Sequence, residues 1–227
     1  MLVSCVMPTR QRRREFWTSA IESFLSQTYQ EKQLVILDEG ETSGQEIIDQ
    51  FKAANIKYTF IPSYNPMITG DKRNYVNHLT DGEVILHWDD DDWSAPTRIE
   101  KQLEHLKASG KQVVGFHDLL YFRRSDKTFW KFQYMDKPNV YAVGTSLCYF
   151  KKWWQGHLFI SRGVGEDSEF SFDAIRASQL DSIDGIGLIV ARCHPGNTFQ
   201  IKMGLAPFLK ADRAEFPEGF FITEGII

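Results

Sequence analysis

Glu83-Val84-Ile85-Leu86-His87-Trp88-Asp89-Asp90-Asp91-Asp92-Trp93 sets an apolar triplet almost directly against four consecutive aspartates. A short Val-Ile-Leu run of this kind is the signature of a strand buried on both faces, as in the middle of a parallel sheet. Four adjacent carboxylates repel one another, so a fold carries them only beside solvent or a compensating cation. On an extended chain side chains alternate, so Asp89 and Asp91 are expected on one side and Asp90 and Asp92 on the other. Two carboxylates on one side, at the carboxyl end of a buried strand, form a half-shell for a hard divalent cation, Mg²⁺ or Mn²⁺. A solvated acidic loop is the plainer alternative, but a loop of that kind does not usually follow a buried strand and sit between two tryptophans.

Working outward, the preceding sequence alternates strand and helix signals. Leu2 to Met7 reads as a buried strand closed by Pro8-Thr9. Phe16, Ala20, Ile21, Phe24 and Leu25 form a helical stripe. Leu34 to Leu37 is a second buried run ending at Asp38, and Lys57 to Ile61 a third strand ended by Pro62. Ser43 with Glu46, and Thr97 with Glu100, have capping-box spacing for two further helices, the latter stopped by Gly110. A helix is expected from Thr69 to Leu79. The β-α-β-α-β-α-β order predicts an α/β fold with a Rossmann-like, mostly parallel central sheet flanked by helices. Ligands of such sheets bind beyond the carboxyl ends of the strands, which is where Thr9, Asp38 and Asp89 to Asp92 are expected.

The second half changes character. Val113 to Phe116, Leu119 to Arg123, Phe129 to Tyr134 and Val143 to Phe150 read as strands, and the stretch Gly163-Val-Gly-Glu-Asp-Ser-Glu-Phe opens a helix running to about Ala177. A smaller mixed-sheet half is the expectation, joined to the first without a Ser/Gly/Pro-rich linker. The division is about 1–92 and 93–199 within one domain, with 200–227 as a tail.

Composition narrows the function. Of 227 residues, 42% are hydrophobic and 25% charged, enough for one sizeable core, and the net charge of −4 argues against a protein that coats nucleic acid. Cys5, Cys148 and Cys193 are odd in number and widely spaced, which excludes a disulfide framework and a CxxC zinc site and fits a reducing compartment. The apolar start of the chain is too short for a signal-peptide core or a membrane span. A cytoplasmic protein is expected, with peripheral attachment to the inner face of a membrane left open.

Six pieces in order carry a resemblance: Val-Met-Pro-Thr-Arg-Gln-Arg at 6–12, Ser-Gln-Thr-Tyr at 26–29, Val-Ile-Leu-Asp at 35–38, Gly-Asp-Lys-Arg-Asn at 70–74, the aspartate run, and Gly-Glu-Asp at 165–167. Together they resemble the family 2 glycosyltransferases, whose nucleotide-sugar-binding fold is called GT-A. The resemblance implies a metal-dependent inverting transfer from a UDP- or dTDP-sugar to an acceptor hydroxyl on a glycan, a lipid-linked glycan or another molecule. Pro8, Thr9 and Arg10 would approach the ribose or base, and Asp38 would accept the N3–H of a uracil or thymine ring. Arg10 stands where the family often has an aromatic residue, so base stacking there would fall to a guanidinium. Lys72 and Arg73, opening a helix behind Gly70, would hold the diphosphate. Asp89-Asp90-Asp91 resembles the DXD motif, with Asp91 binding Mn²⁺ or Mg²⁺ and Asp89 and Asp90 serving the ribose or the metal's water shell. Asp92 would contact the donor sugar. Asp167 would be the catalytic base and Glu166 would position the acceptor, while His194, in His-Pro-Gly-Asn-Thr, would be a further metal or phosphate ligand.

Each of these residues also has a plain structural reading. Asp38 would be a turn acid, Glu166 and Asp167 would complement a helix dipole, and His194 and His87 would be core histidines. Trp93, Trp130, Trp153 and Trp154 could stack on sugar rings, though each also suits a core. Two other functions remain open: a non-catalytic nucleotide- or carbohydrate-binding protein on a degenerate transferase scaffold, and a transferase whose Arg10–Arg14 cluster guides a polyanionic acceptor such as hydroxylated DNA bases. A sugar-nucleotide nucleotidyltransferase is disfavoured because no glycine stands between Pro8 and Arg14 to form a phosphate loop. Oligomeric state is not legible.

Overall fold

The structure is a computed structural model that describes residues 1–134, 140–197, 204 and 207–226. Its first half follows the predicted alternation: β1 (Val3–Arg10), α1 (Arg14–Leu25), β2 (Lys32–Gly40), α2 (Gln45–Asp49), β3 (Ile56–Pro62), α3 (Thr69–His78) and β4 (Val84–His87). The second half contains β5 (Trp93–Ser94), α4 (Arg98–Ser109), β6 (Val113–Arg123), β7 (Thr128–Phe132), β8 (Cys148–Phe150), α5 (Lys151–Gly156), α6 (Glu166–Arg176), β9 (Leu180–Asp184), β10 (Ile189–Cys193), β11 (Phe208–Lys210) and α7 (Glu218–Glu224). The sheet runs β11-β7-β6-β8-β4-β1-β2-β3, with β9 and β10 both paired to β6 and the short β5 paired to β10. β1 is parallel to β2 and to β4, and β2 to β3. β8 is antiparallel to both β4 and β6, so it joins the parallel part to the mixed part.

Two-residue periodicity splits the apolar residues of the central strands between two faces. Val3, Cys5, Met7, Leu34, Ile36, Val84 and Leu86 pack with Trp17, Ile21 and Phe24 of α1 and with Ile99, Leu103 and Leu106 of α4. Val6, Val35, Leu37 and Ile85 point the other way, toward Val76 of α3 and Phe170 and Ala174 of α6. Burying one such large side chain contributes about 1.5–3 kcal/mol relative to leaving it in water, so the double-sided core fixes strand order and register. A third cluster joins Trp93, Leu120, Phe122 and Val190 to Phe216 and Phe220, so the stretch read as a tail packs on the body through its described part. The boundary drawn at residue 199 lies outside the described residues.

Several local expectations are corrected. β1 does not close at Pro8-Thr9 but runs on to Arg10. Trp88 donates its N–H to the Val6 carbonyl, so by alternation the Pro8 nitrogen faces the same side, beyond the last β4 pairing at His87, where no ladder donor is needed. β2 likewise passes through Asp38 to Gly40. Neither capping box forms. Gly44 and Thr97 are the N-caps of α2 and α4 without side-chain caps, and Glu100 instead accepts from the Thr28 hydroxyl at 2.9 Å. Leu25 is exposed, while Trp17 takes its place in the stripe. The two strands expected between Val113 and Arg123 are one continuous strand, and Val143 to Ser146 is not strand, because Gly144–Ser146 coils as a 3₁₀ turn before β8. Trp93 and Trp154 are core residues.

Close backbone approach ties α3 to the loop before α6. The Gly70 N–H donates to the Arg162 carbonyl at 3.0 Å, and the Thr69 hydroxyl to the Gly163 carbonyl at 3.0 Å. A Cβ on Gly70 would lie 1.8 Å from the Ile160 carbonyl oxygen, so an alanine forces backbone apart. Gly70→Ala is expected to cost about 2 kcal/mol and to lower the melting temperature by roughly 4–8 °C in calorimetry. A melting temperature unchanged within about 1 °C would show that this contact yields freely.

Candidate active site

β4 stops at His87 while its neighbour β1 continues to Arg10, and this offset opens a cavity of about 460 Å³ at the strands' carboxyl ends. Pro8, Thr9, Arg10, Lys72, Arg73, Asp89, Asp90, Asp91, Asp92, Glu166 and Asp167 all line it, so most of the sequence-predicted residues come together. Asp38 and His194 are not among its lining residues.

The aspartates are not extended. Asp90 and Asp91 form a turn, which breaks the alternation expected from the sequence. Asp92 therefore joins Asp89 and Asp91, each offering a carboxylate oxygen within 4.8 Å of the others, and Asp90 is not part of that cluster. Asp90 is buried against the Thr9 hydroxyl, which donates to it and itself accepts from the Trp17 indole at 2.8 Å. The Arg13 guanidinium lies 3.0 Å from Asp90 Oδ1 and 3.2 Å from Asp91 Oδ2 and donates to the Gly196 carbonyl at 3.0 Å. Burial, then Asp91, push the Asp90 carboxyl up to about 7, with Arg13 acting against them. For Arg13, burial opposes the charge but Asp90 and Asp91 more than offset it, holding the guanidinium above its ordinary value.

Asp91 Oδ2 also accepts from His194 Nε2 at 3.0 Å and from the Asn197 amide at 3.1 Å. Since His194 Nδ1 accepts from the Gly196 N–H at 3.1 Å, the proton sits on Nε2 and the ring serves Asp91 as a donor. In this arrangement His194 supports Asp91 instead of presenting a lone pair to a metal. Asp92 accepts from the Thr145 hydroxyl at 2.8 Å and the Arg192 N–H at 3.2 Å; burial and Asp91 raise its pKa well above the ordinary range. Asp89, half-buried, makes no hydrogen bond among the described residues. Asp89, Asp91 and Asp92 are thus held by the fold so that oxygen atoms converge, which fits a hard divalent cation.

The two predicted phosphate-binding cations are compensated internally. Lys72 is ion-paired with Glu39 and donates to the Thr9 carbonyl at 3.1 Å, and Arg73 Nε is 2.9 Å from Glu166 Oε1. Burial lowers the Lys72 pKa against the pull of Glu39. Glu166 is buried, held by Arg73, whereas Asp167 is half-buried. Asp167 Oδ1 accepts from the Ser168 N–H at 2.7 Å, and its other oxygen lies over Gly144, where a Cβ would come within 1.6 Å. Only a residue without a side chain leaves Asp167 that position. Arg14 is 2.8 Å from Asp38 Oδ2, so Arg13 and Arg14 of the basic cluster turn their charge inward.

Asp38 lies inside β2 and is fully covered. Its Oδ2 accepts from Arg14, from the Tyr58 hydroxyl at 2.7 Å and from the Gly44 N–H at 3.1 Å, while Oδ1 has no partner. His87 is buried, with Nδ1 2.7 Å from the Gly144 carbonyl and Nε2 3.2 Å from the Tyr149 hydroxyl, the satisfied core residue expected. Sequence reasoning missed Thr145, Tyr141 and Arg192. Arg192 and Tyr141 had no motif around them, and Thr145 sat inside a stretch read as strand.

A mixed sheet with a nucleotide-sized cavity at its parallel strand ends, an acidic turn and a facing carboxylate defines the GT-A class of folds. The family model for glycosyl transferase family 2 matches residues 4–165, and the chain belongs to that family. A putative colanic acid biosynthesis glycosyl transferase, WcaA of Escherichia coli, is 30% identical over 175 residues, covering 75% of this chain and 57% of its own length. The putative glycosyltransferase EpsE of Bacillus subtilis is 31% identical over 134 residues, 57% of this chain and 48% of its own. The chain therefore spans about half the length of these curated relatives. Among solved structures, TarS of S. aureus (residues 1–349, in complex with UDP) superposes with a TM-score of 0.67 at 16% identity, covering 86% of this chain and 61% of that one. A mannosyltransferase from Pyrobaculum calidifontis in complex with GDP-Man and Mn²⁺ gives 0.65 at 12% identity, over 86% and 58%. Both likenesses are of fold. No helix among the described residues is long and apolar enough to cross a membrane.

Arg13 is the cation closest to two of the carboxylates, and its removal is a direct test of that compensation. Arg13→Met is expected to destabilise the metal-free protein by about 3 kcal/mol at neutral pH. Without the guanidinium, burial and the neighbouring Asp91 hold the Asp90 carboxyl still further above its unfolded range. Stability is then fully present below the ordinary carboxylate range and is lost as pH rises toward 7 and above. Melting temperatures from pH 4.5 to 8 should fall more steeply for the variant than for the parent. Parallel curves would remove Arg13 as the compensating charge.

Proposed function

We propose that this chain is a metal-dependent, inverting glycosyltransferase that moves a sugar from a UDP- or dTDP-sugar to an acceptor hydroxyl. The observation that carries the reading is the convergence of Asp89, Asp91 and Asp92 within 4.8 Å on the cavity that Asp167 also lines. Mn²⁺ or Mg²⁺ would be held by Asp91 with Asp89 and Asp92. Such a cation stabilises the charge that develops on a departing nucleoside diphosphate. TarS with UDP and the Pyrobaculum mannosyltransferase with GDP-Man and Mn²⁺ support a nucleotide donor and a divalent metal as ligand classes.

Pro8, Thr9 and Arg10 form the wall nearest the ribose or base, and Arg10 also donates to the Met67 carbonyl at 3.3 Å. Lys72 and Arg73, already paired with Glu39 and Glu166, would set a positive edge for the diphosphate without bringing an uncompensated charge. The unpartnered Oδ1 of Asp38 supports recognition of a ring N–H; because the residue is covered, a base reaches it only if neighbouring side chains give way. Asp167 takes the acceptor's proton on the oxygen not bound by Ser168 as the hydroxyl attacks the anomeric carbon. Glu166, held by Arg73 on the cavity wall, would position the acceptor. The nucleotide-sugar half is about 1–92 and the acceptor half about 93–199, where Tyr121 and Tyr141 line the cavity. Free Cys5, Cys148 and Cys193 support a cytoplasmic location. A polyanionic acceptor gains no support from Arg13 and Arg14, which face aspartates.

A thermal-shift series with UDP, dTDP and GDP, with and without Mn²⁺, tests donor class and metal together, since a ligand of the folded state raises its melting temperature. Stabilisation by UDP or dTDP only with metal is expected; GDP alone would overturn the base assignment. Asp91→Ala should abolish the metal-dependent part of that shift, and a shift as large as the parent's would remove Asp91 as ligand. Asp167→Asn should keep the shift but lose turnover about 10²–10⁴-fold, measured as acceptor-dependent release of nucleoside diphosphate. Substantial remaining transfer would remove it as base.

A further inference from the structure

The acidic turn is gripped from a part of the chain that lies beyond the family match at residues 4–165. Arg192, on β10, is 2% exposed. Its backbone N–H donates to Asp92 Oδ1 at 3.2 Å, and its Nη1 donates to the Asp91 backbone carbonyl at 2.8 Å. Its own carbonyl accepts from the Asn197 amide, which in turn donates to Asp91 Oδ2. One residue thus touches both ends of the Asp91-Asp92 step, through backbone and side chain.

A guanidinium this deeply buried keeps its place only if its charge is answered. The answer is Glu224, the last residue of α7: its Oε1 is 2.5 Å from Arg192 Nε, and its Oε2 is 3.6 Å from Arg124 Nε. The Ser19 hydroxyl takes Nη2 at 3.0 Å, and the guanidinium stands 5.8 Å over the Phe220 ring, also on α7. Phe216 and Phe220 anchor that helix in the core with Trp93, directly after the aspartates. Without Glu224 the Arg192 guanidinium loses its ion-pair partner, and its Nη1 contact with the Asp91 carbonyl still tethers it to the turn. A guanidinium drawn there would neutralise oxygens that otherwise converge with Asp89.

We propose that α7 is part of the active-site architecture, with Glu224 and Arg192 as positioning residues that hold Asp91 and Asp92 in their ligating arrangement. The metal-binding consequence rests on the proposed function; the positioning of the turn does not. Glu224→Gln keeps size and hydrogen-bonding ability and removes the charge. It is expected to weaken Mn²⁺ binding about 10-fold, measured by electron paramagnetic resonance of free Mn²⁺ without donor, and to speed amide hydrogen exchange in a peptide spanning residues 88–94. Arg192→Lys, which cannot make the same fork of contacts, should do the same. The double variant Arg192→Met, Glu224→Met replaces the pair with apolar groups that keep α7 packed. It should recover thermal stability but neither Mn²⁺ affinity nor slow exchange. Parental exchange at 88–94 in all three variants would overturn the inference, as would recovered affinity in the double variant. Absence of Mn²⁺ binding by the parent protein would instead overturn the metal reading, while the exchange data would still decide the positioning role.

Discussion

The like-charge repulsion of four aspartates at the end of β4 is the constraint around which this molecule is arranged. The fold answers it residue by residue. Asp90 is buried against Thr9 and Arg13, and Asp91 shares Arg13 with it and also accepts from His194 and Asn197. Asp92 is met by Thr145 and a backbone N–H, and Asp89 keeps partial exposure. The compensation comes from β1 and the turn after it, from the turn before β8, and from β10 and the loop beyond. Strand ends that would otherwise be only a crevice are thereby joined into one charged wall.

A second pattern runs through the site: cations near the cavity are already partnered. Lys72 with Glu39, Arg73 with Glu166, Arg14 with Asp38 and Arg192 with Glu224 each place an acid behind the base. Paired in this way, a buried charge has its desolvation cost partly offset and is held in orientation before any ligand arrives. The same acids explain why helix starts such as Thr69 and Glu166 can meet at the cavity without the excess positive potential that the sequence alone suggests.

Much of this was legible beforehand, for identifiable reasons. Apolar runs and helical stripes reported the parallel half because burial on both faces leaves a period that local sequence carries. The acidic turn, Lys72, Arg73, Glu166 and Asp167 were found because unusual residue types cluster around strand and helix ends. What escaped was decided by distant partners. The extended-chain picture of Asp89 to Asp92 failed because a turn at Asp90-Asp91, fixed by Arg13 and Arg192, rotates Asp92 onto the other side. Both capping boxes failed because the hydroxyl or carboxylate found better partners elsewhere, Glu100 with Thr28 and Ser43 with Tyr58. Arg192 and Glu224 carry no local signal at all; only the docking of α7 gives them a shared role.

The contacts that tame the acidic turn span long stretches of chain: 77 residues between Arg13 and Asp90, 101 between Arg192 and Asp91, and 106 between Asn197 and Asp91. Contacts of such separation are costly to close, because loop entropy must be met before they yield anything. Pairing β1 with β4 already brings Arg13 beside Asp90, so the parallel half answers part of the acidic run, while the contacts of Arg192 and Asn197 wait for β10 and the loop beyond it. Electrostatic order at this one turn thus depends on both halves of the chain being in place together.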